Sequence, residues 1–428
     1  MEGFSGQSGD FTVTVRRRAR YVDESKCTGC GSCAEKCPTS VSDDFNLGLD
    51  RRKAIYKYFA QGIPSVFTID TRFCRQFQGK KCGICQKTCQ AGAVDFEQQD
   101  RVETFNVGAV VVAVGFDLFD ASRITEYGYG RLPNVISALE FERLLSASGP
   151  THGHVERPSD LADKARLAEV DKELKRAQKS LESYEKKAGL NSAEFYQKFQ
   201  AGAVSGNGDE KAWADKYRSW LDLREENETL AKKVAGSDVA TRLAFIQCVG
   251  SRDFRFHPYC SSYCCMHTIK EAIIAKEHAP RTESTVFAMD LRTVGKGFEE
   301  YKLRGAADSG IRYVRGRVAE ITQDGDCNPV IWYEDTKKRE VQAQTFDLVI
   351  LANACSATPG AAALAQILGA RVDDNQFFAT DSLNPLSTSV PGIFTCGCAQ
   401  GPMDIPESVA QASSAAAKAA EVVLKAQG

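Results

Sequence analysis

Apolar residues recur along the chain in patterns that predict both strands and helices. Residues 10–16 alternate apolar and polar side chains, as a half-buried strand does. Residues 105–116 form a continuous β-branched run that closes at Gly115, which is typical of a buried strand in a parallel sheet. Similar strand-forming runs occur at 242–248, 284–289 and 346–355. Because helical stretches such as 269–277 alternate with these runs, the pattern indicates an α/β layer.

Residues 159–236 form a charged, cysteine-free segment with helical periodicity. Seven apolar residues in its first half step by three and four positions, as in a coiled-coil seam: Leu167, Val170, Leu174, Ala177, Leu181, Tyr184 and Ala188. A second helix, around Trp213 to Leu230, follows a glycine-rich turn at 202–208. We therefore expect an antiparallel helical hairpin inserted in the α/β domain. It could dock a partner or be an inert surface insertion.

Composition limits the class of protein further. A chain of 428 residues is long enough for about three domains. The net charge is −2 and the pI is near 6.3, so charge identifies no partner and predicts no nucleic-acid binding. Residues 1–20 lack the apolar core of a signal peptide, and the longest apolar stretch, near 107–116, is too short to cross a bilayer. We expect a cytoplasmic protein without a transmembrane segment.

The chain has 16 cysteines, which include three groups of four, and the first group has the spacing that surrounds a [4Fe–4S] cluster. Its members are Cys27, Cys30, Cys33 and Cys37, followed by Pro38. Closely spaced thiolates on a tight loop can converge on neighbouring irons, while the fourth thiolate leaves to serve another cluster. Clustered C-x2-C spacing in a large, charge-balanced chain also fits a reducing compartment better than disulfides.

The second group supplies the partner run, although residues 75–81 separate its first cysteine from the others. In a two-cluster ferredoxin, the last cysteine of each run binds the cluster of the other run. This exchange predicts two ligand sets: Cys27, Cys30, Cys33 and Cys89 for one cluster, and Cys74, Cys82, Cys85 and Cys37 for the other. A pair of zinc sites is the alternative, because C-x2-C pairs also suit tetrahedral zinc. Zinc does not account for a four-cysteine run ending in Cys-Pro, so the spacing favours iron–sulfur clusters.

A third group could hold a third cluster, since it places four thiols within a short segment: Cys248, Cys260, Cys264 and Cys265. Neighbouring side chains on a helix point about 100° apart, so Cys264 or Cys265 could instead be a buried structural thiol. Buried or redox thiols are the alternative for the whole group. The remaining cysteines lack ligand spacing, and all but Cys398 are expected in the core: Cys327, Cys355, Cys396 and Cys398.

The C-terminal segment has the pattern of a strand, a glycine-containing loop and an alanine-rich helix. These features span residues 390–406 and beyond, with Pro406 suited to the first helical turn. The N–H groups and positive dipole at such a helix start favour an anionic ligand, for example a phosphate or a reduced flavin ring. An ordinary strand-to-helix connection is the alternative.

Several segments together resemble the A-type polypeptide of heterodisulfide reductase. They are residues 51–56, 95–98, 139–150, 290–300 and 397–406 and the motifs around Cys248 and Cys260–Cys265. The resemblance covers nearly the whole chain outside the helical hairpin, and it extends to related quinone-interacting oxidoreductase subunits. It implies a thioredoxin-reductase-like α/β flavoprotein that carries FAD, contains an inserted ferredoxin-like α+β module and passes electrons to B- and C-type partner subunits. In the reductase complexes, this flavin is the site of electron bifurcation.

The resemblance also implies a set of flavin-binding residues. Gly115 lies in the flavin-domain turn, and the second flavin-binding loop contains Gly397, Cys398, Gly401 and Ile405. Related disulfide reductases place an aspartate on the ribityl chain of the flavin where Cys398 stands. Lys296, between two glycines, could reach the flavin ring or be a solvated loop lysine.

One element of the family is missing from this sequence. Family members begin with a βαβ unit bearing G-x-G-x-x-G, whose helix N-terminus holds the FAD pyrophosphate. No such motif occurs here, so we expect an α/β domain that is incomplete at its N-terminus. Either a separate chain supplies the missing FAD-binding half or this is a truncated or split gene product. Ala354 also stands where the second strand usually has glycine.

We therefore expect four parts. They are a remnant strand at 1–20, a ferredoxin-like domain with two [4Fe–4S] clusters at 21–100, a flavin-binding-like α/β domain at 101–158 and 237–428, and the helical hairpin at 159–236. The predicted function is electron transfer between FAD and the clusters, including flavin-based bifurcation, in a heterodisulfide-reductase-like complex that also contacts an electron-donating enzyme. No side chain is expected to act as a nucleophile.

Two other functions compete with this prediction. A flavin-free, polyferredoxin-like adaptor could carry electrons between two redox enzymes. The missing G-x-G-x-x-G motif favours this alternative. An NAD-dependent reductase is disfavoured, because no dinucleotide fingerprint occurs in the sequence.

Overall fold

The computed structural model describes residues 1–428 except 205, 207, 237, 238 and 428. The described residues form strands β1 (Gly3–Gln7), β2 (Asp10–Arg17), β3 (Ser40–Ser42), β4 (Arg51–Lys53), β5 (Ile55–Tyr56), β6 (Thr68–Ile69), β7 (Arg101–Val107), β8 (Val110–Val112), β9 (Phe116–Leu118), β10 (Val135–Ser137), β11 (Arg242–Val249), β12 (Glu283–Ala288), β13 (Arg312–Gln323), β14 (Pro329–Asp335), β15 (Glu340–Thr345), β16 (Leu348–Asn353), β17 (Cys355–Ala357) and β18 (Ile393–Thr395). Their α-helices are α1 (Ser32–Glu35), α2 (Ile84–Thr88), α3 (Ala138–Leu145), α4 (Pro158–Ala188), α5 (Ser192–Gln200), α6 (Gly208–Gly236), α7 (Cys264–His278), α8 (Phe298–Ser309), α9 (Ala361–Leu368) and α10 (Ile405–Gln427). Short 3-10 helices lie at Ala121–Arg123, Thr125–Tyr127 and Gly397–Ala399.

The main sheet has the strand order β10-β16-β11-β12-β13-β14-β15. Its first five strands are parallel, and β14 and β15 extend it in antiparallel fashion. Alternate residues of β11 enter different cores: Leu243 and Phe245 pack with α3 and α7, whereas Ala244 and Ile246 pack on the opposite face. Burial on both faces explains the continuous apolar runs of β11, β12 and β16. The strands predicted at 242–248, 284–289 and 346–355, the helix at 269–277 and the α/β class are confirmed.

The single buried strand predicted at 105–116 is wrong. The segment instead contains β7, which pairs antiparallel with β2, and β8, which pairs parallel with β18. Gly108 and Ala109 separate the two strands. β7 is an edge strand whose Phe105 side chain is 47% exposed, so β-branched composition did not signal burial here. The predicted strand at 10–16 is confirmed as β2, between β1 and β7.

The chain between β2 and β7 contains both of the first two cysteine groups. β2 and β7 pair from Phe11↔Val107 to Arg17↔Arg101, so this long segment leaves and returns at neighbouring positions. It has its own small core, which includes Val22, Ile55 and Phe67 beside several cysteines. The pairing therefore lets a compact unit be inserted without breaking the surrounding structure.

A second contact ties this inserted unit to the α/β layer. The Arg143 side chain of α3 is buried, its Nε donates to Asn46 Oδ1 at 3.0 Å, and its guanidinium lies 4.8 Å from the centre of the Phe45 ring. α3 in turn packs against α7. The insertion is thus held at both its ends and its side.

The helical segment is antiparallel, as predicted, but it has three helices rather than two. Arg166 pairs with Glu226 at 2.7 Å, and Lys216 Nζ donates to Ser180 Oγ at 2.6 Å, so α4 and α6 run in opposite directions. The short helix α5 adds Phe195, whose ring stacks on Trp213 at 3.8 Å. Most predicted seam residues face this interior, although Ala188 is exposed. Within the described part of the chain, no helix is long and apolar enough to cross a membrane.

Candidate iron–sulfur and flavin-binding sites

The first cysteine group lies on a tight loop that leads into α1. Gly29 and Gly31 adopt positive φ angles of 71° and 91°, a region that side chains with a Cβ rarely occupy. A Cβ on Gly29 would also lie 2.7 Å from the Ser65 carbonyl oxygen. These glycines therefore let the loop curl tightly between Cys27 and Cys33.

The effects on the pKa of the Cys33 thiol show which other cysteines lie near it. The pKa of Cys33 is raised to about 11, mainly by burial, with contributions from negative charge on Cys27 and Cys89. Cys89 belongs to the other run, so the structure brings the last cysteine of the second group to the first group. This is the neighbourhood that the first predicted ligand set requires. Cys30, the remaining member, is exposed on the same loop.

The second set surrounds a cavity. Cys37 from the first run lines this cavity together with Cys74, Cys82 and Cys85. Apolar side chains, including Ile55, Ile69, Ile84 and Phe96, complete the wall. Burial raises the pKa of Cys85 to about 11, with further contributions from charge on Cys74, Cys37 and Cys33. A cavity lined by four thiols and mainly apolar side chains, with Thr39, Arg75 and Gln76 also in its wall, fits a cluster, which needs thiolate ligands.

Among the described residues, no three His, Cys, Asp or Glu side chains are grouped closely enough to hold one metal ion. A [4Fe–4S] cluster takes one thiolate on each iron, so its ligands stand around the cube rather than around a single point. The fit of these cysteines to a cluster is therefore judged by whether the four thiols lie near one another and line the same cavity.

A buried charge network positions the loop that carries Cys74. Arg52 Nη2 donates to Asp70 Oδ2 at 2.8 Å, and these side chains are only 6% and 5% exposed. Arg72 binds the same carboxylate at 2.8 Å, and the Asp70 carbonyl accepts the Cys74 N–H at 3.0 Å. The bond from Arg72, reinforced by Arg52, lowers the pKa of Asp70 to about 2 despite its burial. The network was not predicted, because a charged residue in sequence does not reveal a buried partner.

The third cysteine group also comes together. Cys264 and Cys265 occupy the first turn of α7, and each lies near Cys248 and Cys260. Burial raises the pKa of Cys264 and, to about 11, that of Cys265. Adjacent positions on the helix thus do not force either thiol away from the group. The four thiols have the neighbourhood that a third cluster would require.

A backbone N–H group and an arginine side chain lie beside this third set. The Arg292 backbone N–H donates to Cys265 Sγ at 3.4 Å, and Arg252 Nη1 lies 3.9 Å from Cys248 Sγ. The two cysteines of α7 also lie at the positive end of its helix dipole, which stabilises thiolates. Cys248 itself has a positive φ of 60°, an uncommon conformation that turns the chain near the end of β11.

The two predicted flavin loops lie at one edge of the β8–β18 pair. These strands are parallel, and Gly115 and Gly397 follow their C-terminal ends with φ angles of 72° and 62°. Ligands of open α/β sheets bind beyond this edge. A Cβ built on Gly115 or Gly401 would meet nothing within 4 Å, so both backbones are open to a ligand. This arrangement fits a flat ring approaching the two loops.

The start of α10 differs from the expectation of free N–H groups. Asp404 Oδ1 accepts the Glu407 N–H at 2.8 Å, and Glu407 Oε2 accepts the Asp404 N–H at 3.1 Å. The Gly397 N–H donates to Gln411 Oε1 at 2.9 Å. Two carboxylates already occupy the helix start, so it is a poor site for a phosphate. The Ile405 side chain is 80% exposed there.

Lys296 is not on the β8–β18 pair that carries the two flavin loops. It is exposed on the segment between β12 and α8, where the neighbouring Arg292 contacts Cys265. Its position therefore relates it to the third cysteine group. Cys327 and Cys396 are half-buried and buried, respectively, so of these two the core expectation holds for Cys396 only.

A thiol pair beside Gly397 was not predicted. The Cys355 thiol hydrogen-bonds Cys398, which lowers the pKa of Cys398 to about 6 and raises that of Cys355. Cys398 is half-buried and Cys355 fully buried, so Cys398 loses its proton first. Tyr263 lies near this pair and near Cys264, and its ring centre is 5.5 Å from that of Phe116, next to Gly115. Cysteines far apart in sequence gave no spacing signal for this contact.

The fold and cysteine sets define an iron–sulfur protein in which a ferredoxin-like unit is joined to an α/β layer. A family described as 4Fe-4S binding domain matches residues 20–41. The chain is 35% identical over 423 residues to the A-type polypeptide of the Ferredoxin:CoB-CoM heterodisulfide reductase of Methanosarcina acetivorans, covering 98% of this chain and 46% of the relative. It is 37% identical over 420 residues to the A-type iron-sulfur polypeptide of the CoB--CoM heterodisulfide reductase of Methanocaldococcus jannaschii, covering 97% and 51%. The resemblance to this A-type family is confirmed across nearly all of this chain.

Two comparisons set the limits of this similarity. The chain spans about half the length of these relatives. Among solved structures, Lactococcus lactis thioredoxin reductase aligns with 44% of this chain and 54% of its own, at 18% identity and a TM-score of 0.31. That score is too low to support an argument. The sequence relatives and the 4Fe-4S match support an iron–sulfur protein.

We predict that Asp70→Asn destabilises the inserted unit by about 3 kcal/mol, because the buried Arg52 guanidinium loses its buried counter-ion and keeps only the exposed Asp44. Urea unfolding and calorimetry measure the loss. Asp44→Asn is the matched control: Asp44 also binds Arg52, but its side chain is 57% exposed, so we expect a loss below about 1 kcal/mol. Equal effects of the two substitutions would contradict the assigned role of Asp70.

We predict that Cys398 stays a thiolate down to about pH 6 and becomes protonated below it, because its pKa is lowered to about 6. Alkylation by iodoacetamide across a pH series, quantified by peptide mass spectrometry, should have its midpoint there. Cys355→Ala removes the hydrogen-bond donor, so the midpoint should rise by at least about one pH unit. Cys327→Ala should leave it unchanged. A midpoint at an ordinary thiol value in the unmodified protein would refute the assignment.

Proposed function

We propose that this chain is the iron–sulfur electron-transfer part of a heterodisulfide-reductase-like complex, in a cytoplasmic setting. The observation that carries the proposal is the exchange between the cysteine runs. Cys37 lines the cavity of the second run, and Cys89 lies beside Cys33 of the first. Such an exchange is typical of two-cluster ferredoxins. Two independent zinc sites would not require ligands to be exchanged between the runs.

The proposed cluster ligands form three sets. The first is Cys27, Cys30, Cys33 and Cys89, the second is Cys37, Cys74, Cys82 and Cys85, and the third is Cys248, Cys260, Cys264 and Cys265. Each set combines one or more buried thiols with a more accessible one, so the clusters would be largely shielded yet near the surface. The domain limits proposed for this organisation are 1–20, 21–100, 101–158 with 237–428, and 159–236.

We also propose an FAD site at the β8–β18 edge, where Gly115, Gly397 and Gly401 would approach the flavin. Lys296 is a weaker candidate, since its loop faces the third cysteine set. FAD would supply conversion between electron pairs and single electrons. The ring centres of Phe116 and Tyr263 lie 5.5 Å apart beside this edge, and the Asn353 carbonyl oxygen accepts hydrogen bonds from the Tyr263 hydroxyl at 3.1 Å and from Cys264 Sγ at 3.8 Å. Cys398 would lie against the ligand as a thiolate, in place of the aspartate of related reductases.

The site is proposed to be completed by another polypeptide segment that carries the dinucleotide-binding half. The relatives are about twice as long as this chain. Apolar side chains are also exposed on β8 and along α10, including Val111, Ile405, Val409 and Leu424 at 40%, 80%, 59% and 68%. A two-stranded parallel sheet is normally covered on both faces, so this surface suits a further layer. B- and C-like subunits and an electron-donating enzyme are the other proposed partners.

We predict about twelve irons and twelve sulfides per chain after anaerobic purification, at four of each per cluster. Cys37→Ser and Cys82→Ser should remove the same cluster signal from the electron paramagnetic resonance spectrum of the reduced protein. Cys30→Ser and Cys89→Ser should both remove the other. The matched substitutions at Cys327 and Cys396 should remove none. Loss of one signal in both Cys37→Ser and Cys30→Ser, with the other retained, would disprove the exchange.

Flavin content separates the proposed function from a flavin-free adaptor. We expect little FAD in the chain alone and stoichiometric FAD after addition of a polypeptide bearing the G-x-G-x-x-G unit, since that unit holds the pyrophosphate. Fluorescence of released flavin measures both values. Absence of FAD under both conditions, with clusters intact, would instead support the adaptor. Bifurcation is tested only in the assembled complex, by coupled reduction of two acceptors from one donor.

A further inference from the structure

A basic groove lies on the surface beside the second cluster set. Its cations are Arg75, Lys80, Lys81 and Lys87, and Ile84, 41% exposed, lies among them. Among the residues that the structure describes, no aspartate or glutamate lines the groove, and none occurs in the sequence between residues 71 and 90. The protein as a whole has a net charge of −2, so this concentration of positive charge is local.

The four cations are available to a partner. The nearby Arg72 is already paired with Asp70 at 2.8 Å and Asp44 at 3.4 Å. By contrast, no side chain of the four groove cations makes an ion pair or hydrogen bond within the described part of the chain. All four residues are exposed. Their field therefore extends into solvent instead of being neutralised within the fold.

The groove adjoins the cavity of the second cluster set. Arg75, Cys82 and Ile84 line both the groove and the cavity, so a single layer of side chains separates them. Cys82 is itself one of the proposed ligands and is half-buried. A protein seated in the groove would therefore contact side chains that also line the cavity of the second cluster set.

We infer that this basic groove docks a small acidic one-electron carrier protein, which exchanges electrons with the second cluster. The inference rests on the proposed function. In each exchange one electron leaves the reduced carrier and enters the oxidised cluster, lowering its total charge by one, or moves in the reverse direction. No bond is formed or broken, and no proton or further reactant is needed.

The composition of the surface favours this kind of partner. Transient redox complexes are small, and charge around a modest apolar centre steers encounter more than it adds affinity. Ile84 provides the apolar centre and the cations provide the rim. The surface beside the first cluster is different, since the exposed Glu35 and Lys36 of opposite charge lie between Cys33 and Cys37. Of the surfaces beside the two cysteine runs, the one beside the second run therefore carries charge of a single sign.

The test measures electron transfer from a reduced acidic ferredoxin to the cluster-loaded chain by stopped-flow absorbance. The second-order rate constant of the unmodified protein should fall as salt is raised, because screening weakens the attraction. Lys80→Glu/Lys81→Glu should lower it by about 10-fold at low salt. Lys186→Glu/Lys187→Glu, an adjacent exposed pair on α4 with the same change in net charge, is the matched control and should have little effect.

Two further measurements keep the outcomes distinct. Dithionite should reduce every variant fully, which shows that the clusters are present and that the proposed function stands. Oxidation of the reduced clusters by cytochrome c, a basic carrier, should not be slowed by Lys80→Glu/Lys81→Glu. A salt-independent rate, an equal loss in the control pair or an equal slowing with cytochrome c would overturn the docking inference alone. A chain without reducible clusters would overturn the proposed function as well.

Discussion

The exchange of cysteines between two distant runs is the constraint on which the inserted unit depends. Cys37 must reach the cavity of the second run, and Cys89 must reach the loop of the first. Neither loop can then be placed independently of the other. The small core, with Val22, Ile55 and Phe67, includes cysteines of both runs, so the proposed cluster binding would be coupled to the folding of this unit.

Charge burial is the second requirement of the same unit. Removing Arg52 and Asp70 from water is costly, and it is tolerated because the pair is close and Arg72 adds another bond to the carboxylate. The network fixes the backbone of Asp70, which in turn accepts the Cys74 N–H. The irregular first gap of the second run, between Cys74 and Cys82, is thereby compensated by a rigid support on the other side of Cys74.

Sequence patterns correctly predicted those strands and helices whose burial follows a regular pattern along the whole element. β11, β12 and β16 are buried on both faces, and α7 has a regular apolar stripe, so local composition reflected their surroundings. The segment at 105–116 was misassigned because an edge strand and a buried strand can have the same β-branched composition. Cysteine spacing likewise revealed the three groups, since their members are near one another in sequence. The Cys355–Cys398 contact and the Arg52–Asp70 pair depend on tertiary packing, which spacing cannot express.

Attachment at two places gives the inserted unit a fixed relation to the third cysteine set. The paired strands β2 and β7 alone would act as a hinge at one end of the unit. Arg143 adds a buried hydrogen bond to Asn46 and a contact with the Phe45 ring, and its helix packs against α7, which begins with Cys264. Electron transfer weakens steeply with distance, so a unit free to swing would vary its rate of exchange with the α/β layer. A buried arginine at this contact would therefore hold a constant separation between the proposed clusters, whereas its net contribution to stability is small.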